Sequence, residues 1–342
     1  MKSKNKAKNS SFNTILIAIC SFVGVGFISG AEIWFYFARF GLASIFGVVI
    51  FGSLCFVLTW FCMSTSGLEN MKVSKLKKKI SIVGEMAVAS AMVSGLFETT
   101  REIFEKWWIV VFIIAIATII ILYFLEQKSF TIYNYFVAIF IVFVIVSLFV
   151  FNNYLGVDFE LNFDKNFSFK TIFFASVFAC FYVFSNIAEL RPILEKDSKK
   201  LSKKSKFKVS LILSLLLIFL VIMLEIVLVS RKEISKFSMP FLMVFKRENK
   251  IVLFVFLMGL VMTMISTAEA CLMGIKDKIK FDINNEKFVK TIVIITSLII
   301  GQIPFQIFIK IIYPLVAILN FLVFLIEIFE MRKIAKFKFK QN

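Results

Sequence analysis

Three short runs place polar side chains inside apolar sequence. They are Gly24-Val-Gly-Phe-Ile-Ser-Gly-Ala-Glu32, Phe181-Tyr-Val-Phe-Ser-Asn-Ile-Ala-Glu-Leu190 and Thr263-Met-Ile-Ser-Thr-Ala-Glu-Ala-Cys271. In the first two, Ser29 precedes Glu32 and Asn186 precedes Glu189 by three residues, the capping-box spacing that starts a helix. Each run therefore reads as a place where a helix stops and restarts. New N-terminal N–H groups at such a gap favour an anion, and the carbonyls that end the preceding half-helix favour a cation. Glu32 and Glu189 have two readings: each caps its own half-helix, or one of them, with Glu32 favoured, faces a cavity and binds a cationic substrate group or a proton. Carboxylates within membrane segments are costly and default to function. The third run offers the adjacent hydroxyls of Ser266 and Thr267, with the carbonyl of Thr263 one turn earlier. Oxygen ligands of this kind suit a small hard cation such as Na⁺. The structural alternative is that these hydroxyls only back-bond to carbonyls of their own helix.

Other chemistry is excluded by residue type. The chain has no histidine, which removes Ser–His catalysis, His-ligated metals and the HExxH zinc motif together. No enzyme and no cofactor are expected. Cys20, Cys55, Cys62, Cys180 and Cys271 all fall in apolar segments without a C-x-x-C spacing, so they read as packing residues.

The elements that must position these runs are membrane helices. Of the 342 residues 60% are hydrophobic and 45 are Phe, and the mean hydropathy is +0.90. No soluble domain has this composition. Apolar runs near the length of a bilayer crossing recur along the chain. They give ten spans: 12–39 (broken), 41–63, 80–100, 107–125, 130–151, 169–195 (broken), 208–230, 251–274, 288–308 and 311–330. Tight turns are expected near Gly41 and Lys310, and kinks at Pro304 and Pro314. The first hydrophobic run is too long for a cleavable leader and lacks a small-residue cleavage site. The net charge of +18 is spread by loop, so it implies a bilayer rather than a nucleic acid as the partner. Of the 40 Lys and Arg, 28 lie on the side that carries the termini, which makes both termini cytoplasmic in a multi-pass protein. The loop 231–250, on the other side, carries an unusual share of basic residues and is long enough to fold on itself.

Ten spans divide into five and five, and an odd number per half inverts one half relative to the other. The expected organisation is a cytoplasmic tail 1–11, a first repeat 12–151, an extracytoplasmic loop 152–168, a second repeat 169–330 and a basic cytoplasmic tail 331–342. The fold class is all-α, polytopic, with a 5+5 inverted repeat broken in spans 1 and 6. Broken helices at matching positions of two such halves point to a substrate and coupling-ion site near the midplane.

The three runs, with Phe37 and Gly41, resemble the LeuT-fold transporters of the amino acid–polyamine–organocation superfamily, and look closest to their small YkvI-like bacterial branch. The resemblance covers the chain as a ten-span pattern and is specific only in the three runs. It implies a secondary transporter of a small polar organic solute, amino acid or amine-like, in a bacterial inner membrane. It implies substrate contacts at Gly24, Gly26, Ser29, Gly30, Glu32, Phe184, Ser185, Asn186 and Glu189, and a Na⁺ site at Gly24, Val25, Thr263, Ser266 and Thr267. Some relatives replace that ion with a span 5 lysine; residues 130–151 have no Lys or Arg, which favours Na⁺ coupling over proton coupling through Glu32. Ala31 stands where the branch usually has Gln, removing one hydrogen-bonding group. The rival expectation is a membrane receptor or sensor subunit that keeps the fold and binds its ligand without moving it.

Overall fold

In the computed structural model, residues 2–65, 75–103, 127–154, 167–199, 201–246, 250–279 and 283–341 are described. Among them there is no strand. The chain opens with α1 (Lys2–Phe22), followed by the short α2 (Val25–Ile28) and α3 (Ala31–Tyr36) and a 3₁₀ turn over Ala38–Ala43. Five long helices come next: α4 (Ser44–Thr65), α5 (Lys75–Ile103), α6 (Gln127–Tyr154), α7 (Phe169–Ser198) and α8 (Lys203–Ser230). The loop beyond α8 holds a 3₁₀ turn, Lys232–Lys236, and α9 (Pro240–Lys246); then come α10 (Lys250–Ile279) and α11 (Ile283–Ile300). The last stretch is α12 (Phe305–Ile307), a π turn over Phe308–Ile312 and α13 (Tyr313–Gln341).

Seven helices in these segments are long and apolar enough to cross a membrane, while Ser10–Phe22 and Lys290–Ile300 are apolar but shorter. The expected span 107–125 lies outside the described residues, so the count of ten is not established. The side-chain pattern suits lipid. On α6, Ile132, Phe136, Ile139, Phe143, Val146 and Val150 are exposed, while Asn134, Val137, Ile141, Val144 and Leu148 on the other face are buried. Such an apolar outer stripe at helical spacing is stable against acyl chains and a liability in water.

Two expectations are corrected. Span 6 is not broken: α7 runs as one helix from Phe169 to Ser198, with Pro192 inside it. The second turn falls earlier than Lys310. α11 ends at Ile300, Pro304 is the N-cap of α12, and Lys310 lies within the π turn. The π turn has a local cause. Pro314 has no N–H to give the Lys310 carbonyl, and its ring crowds that carbonyl, so the hydrogen-bond ladder widens just before it. The turn near Gly41 falls as expected, with Gly41 at φ 58°, ψ −133°, a conformation that favours glycine.

The short α9 covers the first run. It buries Phe241, Leu242, Val244 and Phe245, and the Phe241 N–H donates to the Ser29 carbonyl at 2.9 Å. The Gln306 amide donates to the Ser238 hydroxyl at 3.1 Å, and Lys246 to the Glu102 carbonyl at 2.9 Å. Elsewhere, ion pairs tie long helices together. Arg191 bridges Glu195 and Glu327 at 2.5 Å each, and Lys77 also pairs with Glu327. Lys278 pairs with the buried Glu85, and Lys290 with Glu269 at 3.4 Å. Breaking a buried pair by removing one partner costs about 3–5 kcal/mol, so these pairs fix the register of α5, α7, α10, α11 and α13.

Candidate functional site

The first run interrupts its helix as expected. A continued helix would send the Gly24 N–H to the Cys20 carbonyl, but it goes to Phe22 at 3.0 Å. Gly24 itself is extended, at φ −83°, ψ −170°. A single turn, α2, follows, and the chain then turns again at Gly30, whose φ of 80° lies in the left-handed region. A Cβ there would also stand 2.8 Å from the Phe241 ring. The break thus releases carbonyls at the end of α1, and another helix takes one of them. The Thr267 hydroxyl of α10 donates to the Ser21 carbonyl at 3.0 Å, which a continued helix would pair with the Val25 N–H.

The hydroxyl pair on α10 is thereby brought to the break. A Cβ on Gly24 would lie 3.4 Å from the Thr267 oxygen. Thr263, Ser266 and Thr267 are all buried, but they behave differently. Thr263 back-bonds to the Leu260 carbonyl at 2.8 Å, the structural alternative stated above. Ser266 and Thr267 do not. Ser266 donates to Oδ1 of Asn134 on α6 at 2.7 Å, and Thr267 reaches α1. Val25 is buried with its side chain against Gly95 of α5, where a Cβ would come within 2.6 Å, so it can offer the site only main-chain atoms. Ser21 is fully buried, and its own hydroxyl has no hydrogen-bond partner.

Glu32, in the first turn of α3, is the second feature of the site, and its geometry differs from the capping box. The N-cap of α3 is Gly30, with no side-chain cap, so Ser29 and Glu32 do not form a capping box. Ser29 donates to the Gly26 carbonyl at 3.3 Å, and its oxygen is 3.5 Å from the Ala31 N–H, a marginal contact. The Glu32 carboxylate instead accepts from the Tyr182 hydroxyl of α7 at 3.0 Å and lies over Gly26, where any Cβ would overlap it. Gly26 is therefore the space in which this carboxylate sits. Tyr182 is held among Phe22, Tyr36, Phe37 and Phe51, with ring centroids 5.0–5.7 Å away. The Tyr36 hydroxyl donates at 2.9 Å to the carbonyl of Ile309 in the π turn. Carboxylate, phenol and break are thus one packed, water-poor unit, in which a charged hydrogen bond is strong.

The remaining α7 residues lie differently from expectation. Ser185 donates to the Tyr182 carbonyl at 2.9 Å, and the Asn186 amide to the same carbonyl at 2.8 Å. Both are back-bonds within an intact helix. The Phe184 ring packs on Phe321 and Phe324 of α13, and its carbonyl accepts from Asn320 at 2.8 Å. The Glu189 side chain lies outside the described residues. The second run therefore meets the first through Tyr182, not through Ser185 or Asn186.

Asn134, Tyr133 and Asn320 were not singled out in the sequence. The available signal was a lone amide in an otherwise apolar span, which is costly unless partnered. Compared with known proteins, the chain matches no family model and no curated sequence.

Proposed function

We propose that this protein is a secondary transporter that moves a small polar organic solute, amino acid or amine-like, by alternating access. Na⁺ is its coupling ion. The observation that carries this reading is the Thr267 hydroxyl reaching across to the Ser21 carbonyl at the end of the interrupted α1. With Thr267 turned toward a released carbonyl and Ser266 turned to the Asn134 amide oxygen rather than to its own helix, the pair makes an oxygen-rich corner of the kind a small monovalent cation needs. Gly24, Val25 and Thr263 would add main-chain oxygens, and Ser266 and Thr267 their hydroxyls. Gly26, Ser29, Gly30, Glu32 and Tyr182 would form the solute side of the break. The architecture is of the LeuT type, two five-span halves over 12–151 and 169–330 with the first helix interrupted, in a bacterial inner membrane with both termini cytoplasmic.

Proton coupling through Glu32 is the second reading. It is favoured by the burial of that carboxylate against Tyr182, where gain of a proton would weaken, and its loss restore, the interhelical bond donated by the Tyr182 hydroxyl.

The test is solute uptake into proteoliposomes, with candidates drawn from amino acids, amines and nucleobases that raise the unfolding temperature of the purified protein. An inward Na⁺ gradient is expected to drive accumulation. Ser266→Ala combined with Thr267→Ala is expected to abolish the Na⁺ dependence. Uptake that keeps its Na⁺ dependence in the double variant excludes the ion site. Uptake driven by a pH gradient and lost in Glu32→Gln selects the second reading.

A further inference from the structure

The Ser266 hydroxyl is governed from α6 by two neighbouring residues. A serine in a helix ordinarily donates its proton to its own i−4 carbonyl, here that of Met262. That carbonyl accepts the Tyr133 hydroxyl at 2.7 Å. The Ser266 proton goes instead to Asn134 Oδ1 at 2.7 Å. The orientation of the Asn134 amide is fixed in turn, because its NH₂ donates to the Phe130 carbonyl at 2.8 Å, leaving the oxygen end toward Ser266. The Asn134 main-chain carbonyl accepts the Cys20 thiol of α1 at 3.3 Å. Asn134 and Ser266 are both fully buried. One residue of α6 thus occupies the acceptor Ser266 would otherwise use, and the next supplies another on the side away from α10.

A hydroxyl has one proton and two lone pairs. With its proton committed to Asn134, the lone pairs of Ser266 are left for another partner, beside Thr267 and the break. We propose that Tyr133 and Asn134 are positioning residues for a monovalent-cation site at the break, and that they set its affinity by holding the Ser266 hydroxyl with its lone pairs free. This rests on the reading of Ser266 and Thr267 as cation ligands. Without Asn134 the Ser266 proton has no fixed acceptor and turns into the site, where it repels a cation. Without the Tyr133 hydroxyl it returns to the Met262 carbonyl. The ligand oxygen remains in both cases and only its orientation changes.

The measurement is the unfolding temperature of the purified full-length protein titrated with NaCl, choline chloride holding the ionic strength constant. A ligand that binds only the folded state raises this temperature saturably. Asn134→Ala and Tyr133→Phe are each expected to raise the half-saturating Na⁺ concentration on the order of tenfold, the scale typical of residues that orient metal ligands. The maximal shift is retained. Tyr133→Phe keeps the ring and removes one oxygen, so it reports even where the alanine variant folds poorly. Asn134→Asp keeps an acceptor opposite Ser266 and is expected to bind Na⁺ at least as tightly as the wild type. A packing role alone would lower the unfolding temperature at every Na⁺ concentration and leave half-saturation unchanged, which would overturn the proposal. If Ser266→Ala weakens Na⁺ binding while Asn134→Ala and Tyr133→Phe do not, the positioning role falls and the cation site stands. If the wild type shows no Na⁺-dependent shift, both fall together.

Discussion

The run around Gly24–Glu32 and the run around Tyr182–Glu189 look alike in sequence and fold differently. Both lie in apolar spans, both carry a small polar residue three before a glutamate, and both have a carbonyl reached by a side chain from another helix. Thr267 donates to Ser21, and Asn320 donates to Phe184. Only the first is broken. A foreign donor is therefore not sufficient to open a helix. The first run has Gly24 in an extended conformation and Gly30 at positive φ, and Gly26 leaves room for a carboxylate to fold back over the chain. The second has no glycine, and its two polar side chains return to the Tyr182 carbonyl. What separates the runs is whether the backbone can leave the helix without strain and find partners when it does.

The strongest way to break this contrast is at Gly26. An added methyl group overlaps the Glu32 carboxylate, so Gly26→Ala must expel Glu32 from its bond with Tyr182. Overpacking of this kind costs about 1–3 kcal/mol, read as a lower unfolding temperature in detergent. Removing the clash partner reveals the mechanism: in a Glu32→Ala background the same methyl is expected to cost much less, with a coupling energy of about 1–3 kcal/mol in the double-mutant cycle. Additive effects would show that the carboxylate does not lie over Gly26.

Gly30→Ala is expected to come next. A left-handed alanine costs roughly 1–2 kcal/mol, and its methyl group meets the Phe241 ring at 2.8 Å. The ring is part of the short α9, so some of the clash can be relieved by a small movement. Truncating the ring in Gly30→Ala/Phe241→Leu is expected to recover the steric part and leave the backbone part. Full recovery would mean that φ at Gly30 relaxes once the ring is gone.

These differences mark what was legible in the sequence. Hydropathy located the long helices because each must match a bilayer thickness. Glycines located the first break because they are the residues that can leave a helix cheaply. That Ser266 and Thr267 share a site with that break was implied by the family resemblance alone; the Thr267 hydroxyl lies 3.0 Å from the Ser21 carbonyl. The continuity of α7 was not, because Ser and Asn followed by Glu can either cap a new helix or back-bond within an old one, and tertiary context chooses. Ser29 shows the same ambiguity from the other side: the chain does restart near it, but the left-handed Gly30 caps α3 and frees Glu32 for Tyr182. Asn134 was missed for a different reason: its lone amide signalled a need for a partner but not which partner. Its partner Ser266 is 132 residues away, and no local pattern encodes a contact at that separation.

The smallest effect is expected where sequence resemblance pointed to function most directly. Ser185→Ala and Asn186→Ala each remove one of two side-chain bonds to the same Tyr182 carbonyl, and alanine is the best helix former. Each is expected to change stability by no more than about 1 kcal/mol, the net worth of one such bond. Helix content by circular dichroism should be unchanged. Ser185→Gly carries the comparison further, since it gives the second run the residue type on which the first depends. It is expected to cost about 0.5–1 kcal/mol, the ordinary penalty of glycine within a helix, because one flexible position does not reproduce the extended Gly24 and left-handed Gly30 together. If Ser185→Ala leaves stability unchanged yet abolishes uptake, Ser185 must leave the Tyr182 carbonyl in another state of the transport cycle. The two runs would then differ in when they open rather than in whether they do.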